Sequence, residues 1–243
     1  MYEAGTFVDD KIAHEIEKSD IDSVLLRSPL TCEVSYGLCA KCYGIDLTSR
    51  EMVTLGTPVG VTAAKSIGEP GTQLTMRNFH TGGIVGLDIT QGLPRVEELF
   101  EARTPKYLSQ VIDISGKVSV EETPDGFKVT VKSIGVKPPV EREYILPSTS
   151  QLKIANGDLI AAGTPLSDGY MDAKQILNVL GLKAAQRYIV DSVQEVYELQ
   201  GVPINDKHVE IIVRKMCEKV KVETSGDTAL LPGELVDKSR FAS

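Results

Sequence analysis

Gln73, Met76, Arg77 and His80 recur at helical spacing within the run Gly68-Glu69-Pro70-Gly71-Thr72-Gln73-Leu74-Thr75-Met76-Arg77-Asn78-Phe79-His80-Thr81-Gly82-Gly83. On a helix that spacing lines up an amide, a thioether, a guanidinium and an imidazole on one stripe. The set is odd for a core face. It suits a surface that closes on a nucleotide, with methionine against a base, arginine on phosphate and histidine beside a phosphoryl oxygen. A lone arginine and a lone histidine on a short helix are more often solvated or structurally paired, and spacing alone leaves both readings open. A second constellation is Cys32, Cys39 and Cys42, a C-x6-C-x2-C pattern followed by Gly44. A C-x2-C pair lets two thiolates converge on one ion, and cysteines this close in a cytosolic chain point to zinc rather than to disulfides. Tetrahedral zinc takes four ligands and only three are local. Cys217 borders the apolar face formed by Val209, Ile212, Val213, Met216 and Val220, and reads as a small buried hydrophobe. Three reduced thiols with no metal is the competing reading.

These residues need elements to hold them. Pro70 fits a first helical turn, Thr72 is a candidate N-cap, and Gly82 and Gly83 end the helix, which predicts a short helix hinged at both ends. Ahead of it, a stretch of small residues from Pro58 to Ile67 predicts a closely packed supporting helix. Behind it, a loop over 81–87 holds Gly82, Gly83 and Gly86. A second helix over 88–102 follows, with Leu93, Val96, Leu99 and Phe100 at helical spacing and a break near Gly92-Leu93-Pro94. The product is a helical hairpin whose tip can fold or melt.

Around that hairpin the patterning changes. Residues 1–28 predict a helix over 10–18 and a short strand over 23–27. From Lys106 the period becomes two: 111–120 and 127–132 alternate across a Pro124-Asp125-Gly126 turn, with further short strands at 144–146 and 152–154. The turn at Asn156-Gly157-Asp158 and the strand after it resemble small β-barrel modules, lipoyl carriers among them. No lysine flanked by hydrophobics at a hairpin tip supports lipoylation. The last third is helical. Asp172 caps a short helix to Leu180, Gly181 ends it, and a longer helix over 183–200 follows. Asn205 then caps the helix that holds His208 and Cys217. His208, in a first turn, reads as a surface or structural histidine, and 224–231 with 234–236 as a final loop or short strands.

Composition sets outer bounds. The 243 residues allow one large domain or two modest ones, and 42% hydrophobic residues suffice for cores. No apolar run suggests a membrane span, and no leader precedes the first helix, so a cytoplasmic location is expected. A formal charge of -8 argues against a free-standing nucleic-acid binder. The hairpin itself is balanced: Lys65, Arg77, Arg95, Arg103 and Lys106 offset Glu69, Asp88, Glu97, Glu98 and Glu101. Tryptophan is absent, which disfavours base-stacking platforms.

The run 63–83 closely resembles the trigger loop of the bacterial RNA polymerase β′ subunit, and 88–103 is similar to its second half. Lys65 and Asn78 depart from the usual residues (glutamine and threonine), and neither lies on the stripe. Arg187-Tyr188-Ile189-Val190 and 201–208 resemble the β′ jaw region. The resemblance implies an α+β, multi-module fragment: a zinc-binding segment over 1–50, a trigger-loop helical hairpin over 51–104, a β-rich jaw module over 105–170 and a helical jaw segment over 171–243. It implies template-directed RNA synthesis, a nucleotidyl transfer in which Met76 and Gln73 bind the nucleoside triphosphate and Arg77 and His80 act on its phosphates. It implies structural zinc at Cys32, Cys39 and Cys42 with a fourth cysteine upstream of Met1, and catalytic magnesium held elsewhere in the complex. The family's metal-binding aspartate cluster and long bridge helix do not occur in this sequence and are expected upstream. The chain is therefore expected to be a carboxy-proximal piece, inactive alone. Its implied partners are the rest of β′, the β and α subunits, sigma factor, template DNA and RNA product. A zinc-stabilised scaffold piece with no catalytic part is the alternative.

Overall fold

The computed structural model describes residues 2–3, 5–19, 21, 23–78, 92–124, 126–134 and 138–241. Asp9 starts α1 (Asp10–Glu17) by accepting the Ile12 N–H at 2.8 Å, yet no residue of this helix is buried. The stretch 23–27, predicted as a strand, joins no ladder among the described residues, and Leu25 is fully exposed. A strand needs a neighbour to receive its backbone hydrogen bonds, and none of the described residues supplies one. Ser28 then caps a 3-10 turn (Pro29–Thr31), and a four-residue helix α2 (Ala40–Tyr43) follows.

The largest departure from the sequence reading is α3 (Val59–Asn78), a single helix of 20 residues that runs through Pro70. No separate helix starts at Thr72. Proline removes the N–H that would bond the Ser66 carbonyl and crowds that carbonyl. Tertiary contacts offset this: Ala63 is fully buried against Tyr43 and Ile211, and the Tyr197 hydroxyl donates to the Ile67 carbonyl at 2.8 Å. The helix after the loop is α4 (Leu93–Phe100), shorter than the predicted 88–102, with Pro94 in its first turn. Residues 88–91 lie outside the described residues.

The β module is an antiparallel sheet of order β3-β2-β1-β4, from β1 (Gly116–Thr123), β2 (Gly126–Ser133), β3 (Glu141–Pro147) and β4 (Leu159–Ile160). Val118 pairs with Val131 and Val120 with Val129. One face carries Val118, Val129, Val131 and Leu146, which with Ile112 and Leu166 form an aliphatic cluster. Gly116 faces the Lys132 carbonyl so closely that a Cβ would lie 2.1 Å from it. Of the strand predicted over 111–120 only the second half lies in β1, the first half being reduced to an isolated bridge between Val111 and Pro165, and the strand over 152–154 is reduced to one between Leu152 and Ser167.

Asp172 caps α5 (Ala173–Leu180) through the Lys174 N–H at 2.8 Å, as expected. Next come α6 (Leu182–Leu199) and α7 (Asp206–Met216), the latter capped by Asn205. Ile189, Val190, Val193 and Tyr197 recur at three- and four-residue steps on α6 and meet Val209 and Val213 of α7 and Val96 and Leu99 of α4. A small hairpin of β5 (Lys219–Lys221) and β6 (Leu235–Asp237) precedes α8 (Lys238–Phe241). Among the described residues no helix is long and apolar enough to cross a membrane.

Candidate metal centre and the anchored long helix

The three cysteines converge because two short elements meet. Cys32 ends the 3-10 turn, Cys39 is the N-cap of α2, and Cys42 sits in α2. Gly37 and Gly44 take positive φ values of 74° and 81°, bending the chain before and after α2. The three sulfurs lie within 4.8 Å of one another. Three thiolates held at about 2.3 Å from one zinc ion require separations of this order. The donor set therefore fits zinc. A cavity of about 600 Å³ opens beside the sulfurs, lined by Leu26, Arg27, Glu33 and Val34 among others, and leaves room for a fourth ligand.

At Cys32 the surroundings favour the thiolate. Burial pushes the Cys32 thiol up, but N–H groups of Cys39 and Val34 and the neighbouring cysteines outweigh it and bring its pKa down to about 7. The Cys39 N–H lies 3.5 Å from the Cys32 sulfur. Burial raises the Cys42 thiol, and Arg27, whose Nε donates to that sulfur at 3.5 Å, acts the other way. Cys217 lies at the C-cap of α7, outside the cluster. It is half-buried rather than the fully buried small hydrophobe expected, and burial raises its thiol.

Helix α7 grips this segment with side chains that sequence reasoning did not single out. Arg214 donates to the carbonyls of Pro29 at 2.8 Å, Cys32 at 2.5 Å and Val34 at 2.8 Å. Glu210 accepts from the Ser28 hydroxyl at 2.9 Å. Lys207 donates to the carbonyls of Ile45 and Tyr43 and lies over the Tyr43 ring, 4.3 Å from its centre. His208, beside it, is buried, and burial and the Lys207 charge both lower its pKa. It is a neutral core histidine, one of the alternatives expected for it.

Of the stripe, Gln73, Met76 and Arg77 lie on the last two turns of α3 and His80 beyond the described residues. The side chains of the first three are likewise outside what is described. The base of α3 is well defined. Ile67 and Leu93 pack on the helical core, and Gly71 is so close to Leu93 that a Cβ would lie 3.3 Å from its Cδ1.

Below that base sits a second unforeseen network. Arg95, 2% exposed, pairs with Glu98 at 2.9 Å, donates to the Tyr188 hydroxyl at 3.1 Å and stacks 3.9 Å over the Tyr170 ring. Tyr188 in turn donates to the Met171 carbonyl at 2.8 Å. The signal in the sequence was an opposite-charge pair at i, i+3 beside the apolar positions Val96 and Leu99. Such a pair reads as solvated until its neighbours are known.

Similarity to known proteins agrees with the sequence reading. The chain is 52% identical to DNA-directed RNA polymerase subunit beta' of Acetivibrio thermocellus over 99% of its own length and 20% of that subunit. It is 50% identical to the corresponding subunit of Caldanaerobacter subterraneus subsp. tengcongensis over 96% of the chain, and 51% identical to that of Clostridium acetobutylicum over 98%. In each case it spans about a fifth (20%) of the relative's length. Residues 2–234 match the family described as RNA polymerase Rpb1, domain 5, and the chain belongs to that family.

Proposed function

We propose that the chain is the substrate-closing part of a bacterial DNA-directed RNA polymerase β′ subunit. It would work in template-directed RNA synthesis within a complex of the rest of β′, the β and α subunits, sigma factor, DNA template and RNA product in the cytoplasm. The observation that carries this reading is α3, one helix of 20 residues held at its base by Tyr197, Leu93 and α7, with Gln73, Met76 and Arg77 on its last two turns. The anchored base fixes where the stripe can swing, and closure on a matched nucleoside triphosphate completes the site. Met76 lies against the base, Gln73 holds the nucleotide, Arg77 binds the phosphates, and His80 stabilises the leaving pyrophosphate. Magnesium held elsewhere in the complex supplies charge neutralisation at the phosphates when bound. The β module and the helices after it act as jaw contacts to downstream DNA.

Single-nucleotide addition by the assembled polymerase tests the reading. Loss of one such electrostatic contact costs about 2.7–4 kcal/mol, so His80→Ala slows turnover roughly a hundredfold to a thousandfold. A positional role for His80 lets His80→Gln keep most of the rate, because the amide still donates a hydrogen bond. A glutamine variant as slow as the alanine variant makes His80 a proton donor instead. Unchanged rates in both, and in Arg77→Ala, overturn the catalytic reading of this helix.

A second reading, a zinc-stabilised scaffold piece with no catalytic part, draws on the three-cysteine cluster and its grip by α7. Deleting residues 72–83 separates the two: the scaffold reading predicts full assembly and full activity, the catalytic reading full assembly and lost activity.

A further inference from the structure

Beyond Cys32 the loop has little apolar surface to shape it. Tyr36 is 89% exposed and Val34 is exposed as well. What the loop does have is one guanidinium. Arg214, in the last turn of α7, lies across the inside of the bend and takes the carbonyls of Pro29, Cys32 and Val34 together. These come from the turn before Cys32, from Cys32 itself, and from the chain between Cys32 and Cys39. Three carbonyls separated along the chain reach one planar donor fork only when the backbone curls around it. Among the described residues no carboxylate forms an ion pair with Arg214. Its charge therefore faces backbone dipoles of the ligand loop rather than a neutralising partner.

We infer that Arg214 is a positioning residue for the three-cysteine centre, holding the Pro29–Val34 backbone in the curl that aims Cys32 at a metal shared with Cys39 and Cys42. Groups outside the ligand shell that orient ligands typically change metal affinity by about 10–100-fold when removed. Coupling of this kind is reciprocal. If α7 prepares the site, metal at the site must steady α7 by the same free energy. The metal centre thus reports on the helix that packs under α3, through Ile211 against Ala63. The inference rests on the reading of Cys32, Cys39 and Cys42 as a metal site, and the experiment keeps the two apart.

The 243-residue chain is titrated with cobalt(II), the thiolate-to-cobalt absorption is followed, and zinc is then competed against a chromophoric chelator. Wild type, Arg214→Met, Arg214→Lys and Cys39→Ser are compared, each melted with zinc and with chelator. The expected result is a cobalt–thiolate band in wild type and an affinity lower by about tenfold or more in Arg214→Met. Arg214→Lys keeps the charge but offers no planar fork, and is expected to fall between them. The rise in melting temperature on adding zinc shrinks in Arg214→Met, while the chelated forms of wild type and variant melt closer together than the zinc forms. Wild-type affinity in both Arg214 variants overturns the inference, as does a loss of stability that is equal with and without zinc. Absence of the cobalt–thiolate band in wild type removes the reading of these three cysteines as a metal site within this chain, and the inference with it. Should Arg214→Met fail to fold, Arg214→Lys decides on the same two readouts.

Discussion

The β module and the cysteine segment belong to one chain and are built in opposite ways. The module encloses Ile112, Val118, Val129, Val131, Leu146 and Leu166 on the inner face of a hydrogen-bonded sheet. The cysteine segment buries Cys32, Cys42 and Tyr43, its backbone is tied to α7 by Arg214 and Lys207, and its Ser28 hydroxyl donates to Glu210. Apolar area alone can specify the first, since burial contributes about 25 cal/mol per Å² and needs no particular partner atom. The second lacks that area. Small segments of this kind rely on cross-links, metal or borrowed contacts. The base of α4 combines the two, since Val96 and Leu99 pack on Ile189, Val190 and Val193 of α6 while the buried Arg95, paired with Glu98, reaches Tyr188.

The largest effect expected from this contrast is at that base. Arg95→Ala leaves Glu98 buried without its cation, and breaking a buried pair costs about 3–5 kcal/mol. Urea unfolding followed by circular dichroism should show it. The paired replacement Arg95→Met with Glu98→Leu should recover most of the loss, since removing both charges removes the unpaired one. A single variant as stable as wild type would mean that the polar contact is ornamental and the contrast false.

In the β module the corresponding break is Leu146→Ala, which opens a cavity and costs about 2–5 kcal/mol. Leu146 is 1% exposed at the centre of the cluster. The loss should appear in amide exchange of β1 to β3 and leave metal binding by Cys32, Cys39 and Cys42 unchanged. Reduced metal affinity in this variant would show that the two regions are coupled after all.

Tyr197→Phe removes one hydroxyl and no packing volume. The lost bond to the Ile67 carbonyl should cost about 0.5–1.5 kcal/mol. Its signature is faster amide exchange in α3 near Pro70 at nearly unchanged global stability. Unaltered exchange there would show that α3 needs no support at its proline. The smallest expected effect is that of chelator on the module: β1 and β2 should keep their protection when metal is withdrawn, whereas 32–44 should lose theirs.

Much of this was readable from local pattern. The alternation read over 111–120 and 127–132 appears, shifted and lengthened, as β1 and β2, and Asp172 and Asn205 cap the helices they were expected to cap. The C-x2-C spacing brings Cys39 and Cys42 together within one helical turn, which is why a cysteine pattern so short is informative. Pro70 was misread because proline's local preference to open a helix was set against contacts not visible locally. The strand expected over 23–27 failed for the complementary reason: pattern proposes a strand, but only a neighbour completes it.

The sequence by itself determined what depends on near neighbours along the chain: periodicity, caps, the cysteine cluster and the helical spacing of Gln73, Met76 and Arg77. Tertiary structure alone decided what joins residues far apart. Tyr197 meets Ile67 across 130 positions, Arg95 meets Tyr188 across 93, and Arg214 meets Val34 across 180. Each of these side chains is ordinary in its local context, an aromatic or an arginine on an amphipathic helix. The physical reason is that a hydrogen bond's worth depends on burial and on the partner supplied by the fold. Neither is encoded within a few residues of the donor.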